Sequence, residues 1–303
     1  MARNIFEDAG FADRREFVWQ WIYYVCGETL TLPEVPDRRR EAVQDTRFCA
    51  AAFTTLMDDI AEKDVDGEAY WELARAVLPG QTPDETVIEA AGPSVRAASR
   101  ALAALFDRLE RAPRGETVRG PLQFDLRACL VGMDHARMVA EHPGLQTRHD
   151  TWTYDTIAIG ALPFFQVDLA YGPPIDETEY GQFRELLAEC ERLWRIANWV
   201  TTWRRELLEG DISAAIFEEA MRNDIVDRAT LRAAAAGEID RQSVVDAIVE
   251  SEIPAQFIAD FRRRREDLRA REFELGSYDP AGPIEAIEGL VRTHRAIEDH
   301  RLD

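Results

Sequence analysis

Two stretches of this chain, Asp37 to about Glu62 and Thr178 to Gly210, run without a proline or a cluster of turn residues. Runs of that length exceed what a strand uses, so the chain must be built around long helices. In the first run, Phe48, Ala52, Thr55 and Leu56 recur at helical spacing. No run of alternating β-branched residues is long enough to propose a sheet. The few breakers divide the remainder. Glu16 to Cys26 reads as an aromatic-rich first helix, followed by a proline-marked connection from Leu32 to Pro36. Gly80 to Pro83 is a turn, Glu85 to Arg111 a helix broken or kinked at Gly92-Pro93, and Pro113 to Gly120 a loop. Leu122 to Glu141 is helical and stops at His142-Pro143-Gly144. Asp150 to Tyr171 is apolar and aromatic with a kink expected at Pro163, closed by Gly172-Pro173-Pro174. Beyond Gly210, Asp211 is expected to cap a helix reaching about Ala235, followed by Asp240 to Leu275 and Ile284 to His300. No Pro/Gly/Ser linker divides these elements. The expectation is an all-α fold, a single domain over residues 1–303 built as a bundle of about ten helices.

The formal charge of −21 makes nucleic acid and anionic membrane surfaces poor partners. Lys63 is the only lysine among the basic residues. Acid excess with lysine depletion fits a salt-adapted, halophilic protein, and an acidic protein from a GC-rich genome gives the same bias. No stretch approaches the ~18 apolar residues of a transmembrane helix. Met1 to Arg15 is polar and charged, unlike a secretory signal. Cys26, Cys49, Cys129 and Cys190 are widely spaced and read as buried thiols of a reducing, cytoplasmic compartment. There is no GxSxG, P-loop or Rossmann glycine pattern, and the histidines lack zinc spacing.

Two motifs carry chemistry. The first is Asp58-Asp59-Ile60-Ala61-Glu62, a DDxxE pattern late in the second long helix. Asp58 and Glu62 share a helical face, and clustered carboxylates suit Mg²⁺, which takes a few carboxylates plus substrate phosphates. Asp64 and Asp66 follow and either add ligands or solvate the helix end. In a chain this acidic the pattern arises by chance about 0.6 times, so alone it decides nothing. The second motif is Asn198, Thr202 and Glu206, at i, i+4 and i+8. An amide oxygen, a hydroxyl and a carboxylate on one face form a mixed chelate for a hard cation. Asparagine is rare here, so this pattern is expected by chance only about 0.03 to 0.05 times. The competing reading is a buried polar stripe satisfied by neighbouring helices.

Together the motifs resemble the aspartate-rich DDxx(D/E) motif and the NSE/DTE motif of microbial class I terpene synthases. Trp203 and Arg205 fill the aromatic and basic positions of the second motif, and Gly210-Asp211 follows as in the family. Trp199 replaces an Asp that often follows the Asn. The family's C-terminal Arg-Tyr pair is not evident, Arg301 being its nearest counterpart. Its diphosphate-sensing arginine position, roughly 46 residues before the motif Asn, is Trp152, with Arg148 one turn earlier. The resemblance implies a class I isoprenoid synthase bundle around a central active-site cavity. It implies three Mg²⁺ ions held by Asp58, Asp59 and Glu62 on one wall and by Asn198, Thr202 and Glu206 on the other. Asp58, Asp59, Asn198, Thr202 and Glu206 would be catalytic, with Arg148, Arg205 and Arg301 on the diphosphate. The substrate would be a prenyl diphosphate. Aromatic faces stabilise carbocations, and Phe48, Phe53, Trp152, Phe164, Phe165, Trp194 and Trp199 are the candidate pocket lining, with core packing as the plain alternative for each. A homodimer is compatible with the resemblance. A head-to-head prenyl synthase and a non-catalytic helical relic are the competing functions. The former uses two aspartate-rich motifs where this chain has one.

Overall fold

The structure, a computed structural model, describes residues 16–63 and 67–296, with the backbone alone at Glu62, Lys63, Pro143, Arg295 and Ala296. Helix α1 spans Glu16–Tyr24 and continues as a π turn, Val25–Thr29. A single turn at Asp37–Arg39 leads into α2, Arg40–Lys63. Then come α3 (Glu68–Ala76), α4 (Glu85–Ala90), α5 (Pro93–Glu110) and α6 (Gly115–Glu141). Element α7, residues 148–158, is helical at both ends with a π turn at Thr151–Asp155 between. Helices α8 (Ala161–Tyr171) and α9 (Glu177–Glu209) follow. The chain closes with α10 (Ala215–Arg222), α11 (Arg228–Ala235), α12 (Arg241–Glu250), α13 (Ile253–Ala270) and α14 (Ala281–Ala296). No strand occurs among the described residues.

Helix α8 explains the arrangement. Its residues Pro163 to Tyr171 are buried on every side, the mark of a helix surrounded by others. It packs against α2, α6 and α9, and α2 also lies along α5. The larger hydrophobic core surrounds α8 and includes Phe48, Phe53, Phe164, Phe165 and Trp194. A second core lies between the C-terminal half of α9 and α10 to α13, around Trp199, Trp203, Phe217 and Leu231. Phe261 packs against both.

The Gly92-Pro93 break and the long helix ending at Gly210 match the sequence reading, and Asp84, Asp176, Asp227 and Asp240 cap the helices they precede. Five features differ. The expected kink at Pro163 falls instead at Gly160, whose φ of 74° only glycine adopts without strain. Pro163 then lies in the first turn of α8, where its missing N–H costs nothing. The expected loop at 113–120 is helical from Gly115, with Pro121 inside α6. A Cβ at Gly115 would lie 1.6 Å from the Leu109 carbonyl oxygen, so glycine permits the tight reversal. Gly115, Val118 and Leu122 bury one face, and that burial overrides the proline. Asp211 does not cap a helix; its carboxylate accepts from the Ser213 N–H at 2.8 Å, and the helix starts at Ala215. That helix breaks before Asp227, with Asp224 left-handed, and Asp240 to Leu275 breaks at Ser251-Glu252, with Glu252 also left-handed. Helix α3 carries no signal the sequence reading used.

Candidate active site

The i, i+3, i+4 repeat of α9 places Glu191, Arg195, Asn198, Thr202 and Glu206 along one face. The Thr202 hydroxyl donates to the Asn198 carbonyl at 2.7 Å and lies 2.6 Å from Glu206 Oε1. The single hydroxyl proton is shared between these two acceptors. Burial, then the Asp211 charge, push the Glu206 carboxyl up to about 7, against the opposing pull of Thr202, Arg195 and Arg205. The amide oxygen of Asn198 accepts from Arg195 Nη1 at 2.9 Å.

Arg195 is the residue the sequence reading passed over. Its other Nη group is ion-paired with Asp155, whose second oxygen accepts from Trp199 Nε1 at 2.6 Å. The guanidinium also lies 5.7 Å from the Trp199 ring centroid. Asp155 is the last residue of the π turn in α7, a local widening that re-aims side chains. Burial lowers the proton affinity of Arg195, while Glu206, Asp58 and Asp211 in that order raise it. The influence of Asp58 on α9 matters most. Asp58 belongs to the first motif, at the far end of α2, and its charge is felt by Arg195, by the Cys129 thiol on α6 and by the Tyr70 hydroxyl on α3. The first and second motifs therefore bear on one guanidinium. An arginine one turn before Asn198 on the same face is the signal that could have found it.

Asp58 and Asp59 are half-buried between the buried Met57 and Ile60. The Glu62 side chain, Asp64, Asp66 and Arg301 lie outside the described residues. Arg148 is an exposed residue at the start of α7, 3.9 Å from Glu219. Arg205 reaches Glu209 at 3.0 Å on the outer side of α9. The candidate rings divide between the two cores. Phe48, Phe53 and Phe165 are enclosed in the larger one, where Phe164 and Trp194 meet at 5.9 Å. Trp152 and Trp199 belong to the smaller, edge to face at 5.1 Å, both beside Phe257. Trp199 is thus both ring and hydrogen-bond donor to Asp155.

Among the described residues no three acidic, histidine or cysteine side chains form a metal cluster. The donor set of α9 is of mixed type, with Glu206 its one acidic member. Its chemistry nevertheless fits a hard divalent cation. With burial pushing the Glu206 carboxyl up to about 7, a divalent cation would compete with the proton for it.

This helical arrangement is the all-α fold of the microbial class I terpene synthases. A point variant of cucumene synthase superposes with a TM-score of 0.53 over 98% of this chain and 92% of that chain, at 15% sequence identity. The 2-methylisoborneol synthase from Streptomyces coelicolor A3(2) gives 0.51 over 93% of this chain and 89% of that chain, also at 15% identity. No family model and no curated protein sequence matches. At such identity the likeness establishes the fold, and the activity must be argued from the site.

Proposed function

We propose that the protein is a Mg²⁺-dependent class I terpene synthase acting on a prenyl diphosphate. The observation that carries this reading is the alignment of Asn198, Thr202 and Glu206 on one face of α9, with the Thr202 hydroxyl 2.6 Å from Glu206 Oε1 and Arg195 bonded to the Asn198 amide oxygen. Asp58, Asp59 and Glu62 would hold metal from α2, and Asn198, Thr202 and Glu206 from α9. Bound Mg²⁺ would neutralise the diphosphate and make it a better leaving group.

The chain's own residues do the rest. Thr202 orients Glu206 through their 2.6 Å contact and couples it to the Asn198 carbonyl. Arg195 donates to the Asn198 amide oxygen at 2.9 Å, and that oxygen would exchange this partner for the metal on binding. Departure of diphosphate leaves an allylic cation on the substrate, which apolar walls keep from water and ring faces stabilise. Trp199, inside the second motif, and Trp152, edge to face with it at 5.1 Å, are assigned that role.

Incubation with geranyl, farnesyl and geranylgeranyl diphosphates, with and without Mg²⁺ and at high salt, tests the proposal. The expected result is metal-dependent release of inorganic diphosphate with a terpene hydrocarbon or alcohol. A product joining two prenyl chains would establish head-to-head synthesis instead. No diphosphate release from any of the three would sink the enzymatic reading.

A further inference from the structure

We propose that Arg195 is the diphosphate-binding arginine of this site, an assignment that rests on the terpene synthase reading above. The chain has Trp152 where a diphosphate-sensing arginine is expected; of the other arginines named for the diphosphate, Arg301 lies outside the described residues and the remaining two face other partners. Arg148 is 58% exposed and faces Glu219, while Arg205 is bound to Glu209. Arg195 is only 18% exposed and lies on the α9 face that carries Asn198, Thr202 and Glu206.

Its guanidinium is incompletely satisfied by the protein. One Nη group pairs with Asp155 and the other donates to the Asn198 amide oxygen, but the buried Nε–H has no acceptor. Buried donors are almost always paired, so an orphan on a face of metal-type donors points to a ligand atom. The Asn198 oxygen is moreover the atom that would turn to a metal. Once it does, a second guanidinium N–H loses its acceptor. Two N–H groups on a rigid planar cation match two phosphate oxygens, a pairing that lysine cannot reproduce. Asp155 and the Trp199 ring hold the group in place from behind. The acidic residues of the two motifs would repel a bare anion, so binding requires Mg²⁺ as well.

The test measures binding of inorganic diphosphate by calorimetry, with Mg²⁺ and in high salt, to the full chain. Wild type should bind. Arg195→Lys, which keeps the charge beside Asp155, should bind about tenfold more weakly, and Arg195→Gln more weakly still. Arg192→Gln, on the exposed side of α9 where it pairs with Glu189, should match wild type. Mg²⁺-dependent heat with diphosphate in wild type and equal affinity in both Arg195 variants would overturn this assignment and leave the enzymatic reading standing. A wild type that neither binds diphosphate nor releases it from prenyl substrates would overturn both. Should the variants fail to fold, the unmodified protein still decides. The Arg195 Nε–H proton resonance must shift on adding diphosphate with Mg²⁺, and an unmoved resonance overturns the assignment.

Discussion

At the scale of single residues, the face of α9 shows how the same position serves packing and chemistry. Thr202 is buried, with its hydroxyl between Asn198 and Glu206. Thr202→Ser keeps the oxygen and is expected to retain Mg²⁺-dependent turnover with a modest loss. Thr202→Val keeps the shape without the ligand. It should raise the Mg²⁺ requirement and slow ionisation about tenfold or more, a difference of about 1.4 kcal/mol. Superimposable Mg²⁺ titrations of wild type and the valine variant would remove Thr202 from the metal site. About three turns further back, Glu191 is buried and accepts from the Leu162 N–H at 3.2 Å. Burial, aided by the Asp125 charge and opposed by Arg184 and by main-chain N–H groups, pushes its carboxyl up to about 8. In the unfolded chain it titrates as an ordinary Glu, so between those values the folded state binds the extra proton. Its contribution to stability is therefore present at low pH and lost as pH rises toward about 8. Glu191→Gln keeps an acceptor oxygen and removes the titration. Thermal denaturation from pH 5 to 9 should show the wild type losing ground against Glu191→Gln, by on the order of a few kcal/mol at the alkaline end. A gap that stays constant across that range would refute the burial argument.

At the scale of elements, the break before α8 positions that helix at the centre of the bundle. Gly160 is left-handed, and an added Cβ would meet the Cys129 sulfur at 3.3 Å. Gly160→Ala is expected to destabilise the protein by about 1 to 2 kcal/mol, the cost of placing an L-residue in that region. Chemical denaturation measures it, and an alanine variant as stable as wild type would mean the break moves at no cost. The π turn of α7 is the second such device. It delivers Asp155 to Arg195 and Trp199, which lie on a different helix. Neither device is visible in hydrophobic periodicity, because a φ value and a widened turn leave no repeat in the pattern.

At the scale of the whole molecule, one buried polar network ties distant segments together. Arg47 on α2 is ion-paired with Asp168 on α8, and both are fully enclosed. Arg47 also donates to the Cys26 carbonyl after α1, to Thr31 at 3.0 Å and to the Phe164 carbonyl at 3.3 Å. Asp168 accepts from the Leu32 N–H at 3.2 Å. Breaking such a pair from one side strands a charge in the interior. Asp168→Asn should therefore cost about 3 to 5 kcal/mol of unfolding free energy, far more than any surface ion pair here. A loss below about 1 kcal/mol by urea denaturation would show that water enters the network freely. The net charge of −21 acts on the same scale. Self-repulsion should be relieved by salt, so the melting midpoint is expected to rise between low salt and molar salt. A midpoint that falls or stays level would mean that specific ion pairs dominate the surface.

What the sequence by itself determined is local. Breaker-free runs specified the long helices α2 and α9, and Gly92-Pro93 and Gly210 marked where helices stop. The spacing of Asn198, Thr202 and Glu206 put three metal-type donors on one face, because a helix converts separations of four residues into adjacency whatever surrounds it. The tertiary structure decided everything that depends on which faces meet. It brought Asp58 within electrostatic reach of α9 and paired Arg195 with Asp155, 40 positions earlier in the numbering. It placed the candidate rings in two cores, buried the face of α6 that runs through Gly115 and Val118 toward Pro121, and set the break at Gly160 instead of Pro163. These outcomes follow from burial and from charges meeting across helices, and neither is written in the spacing of any one segment.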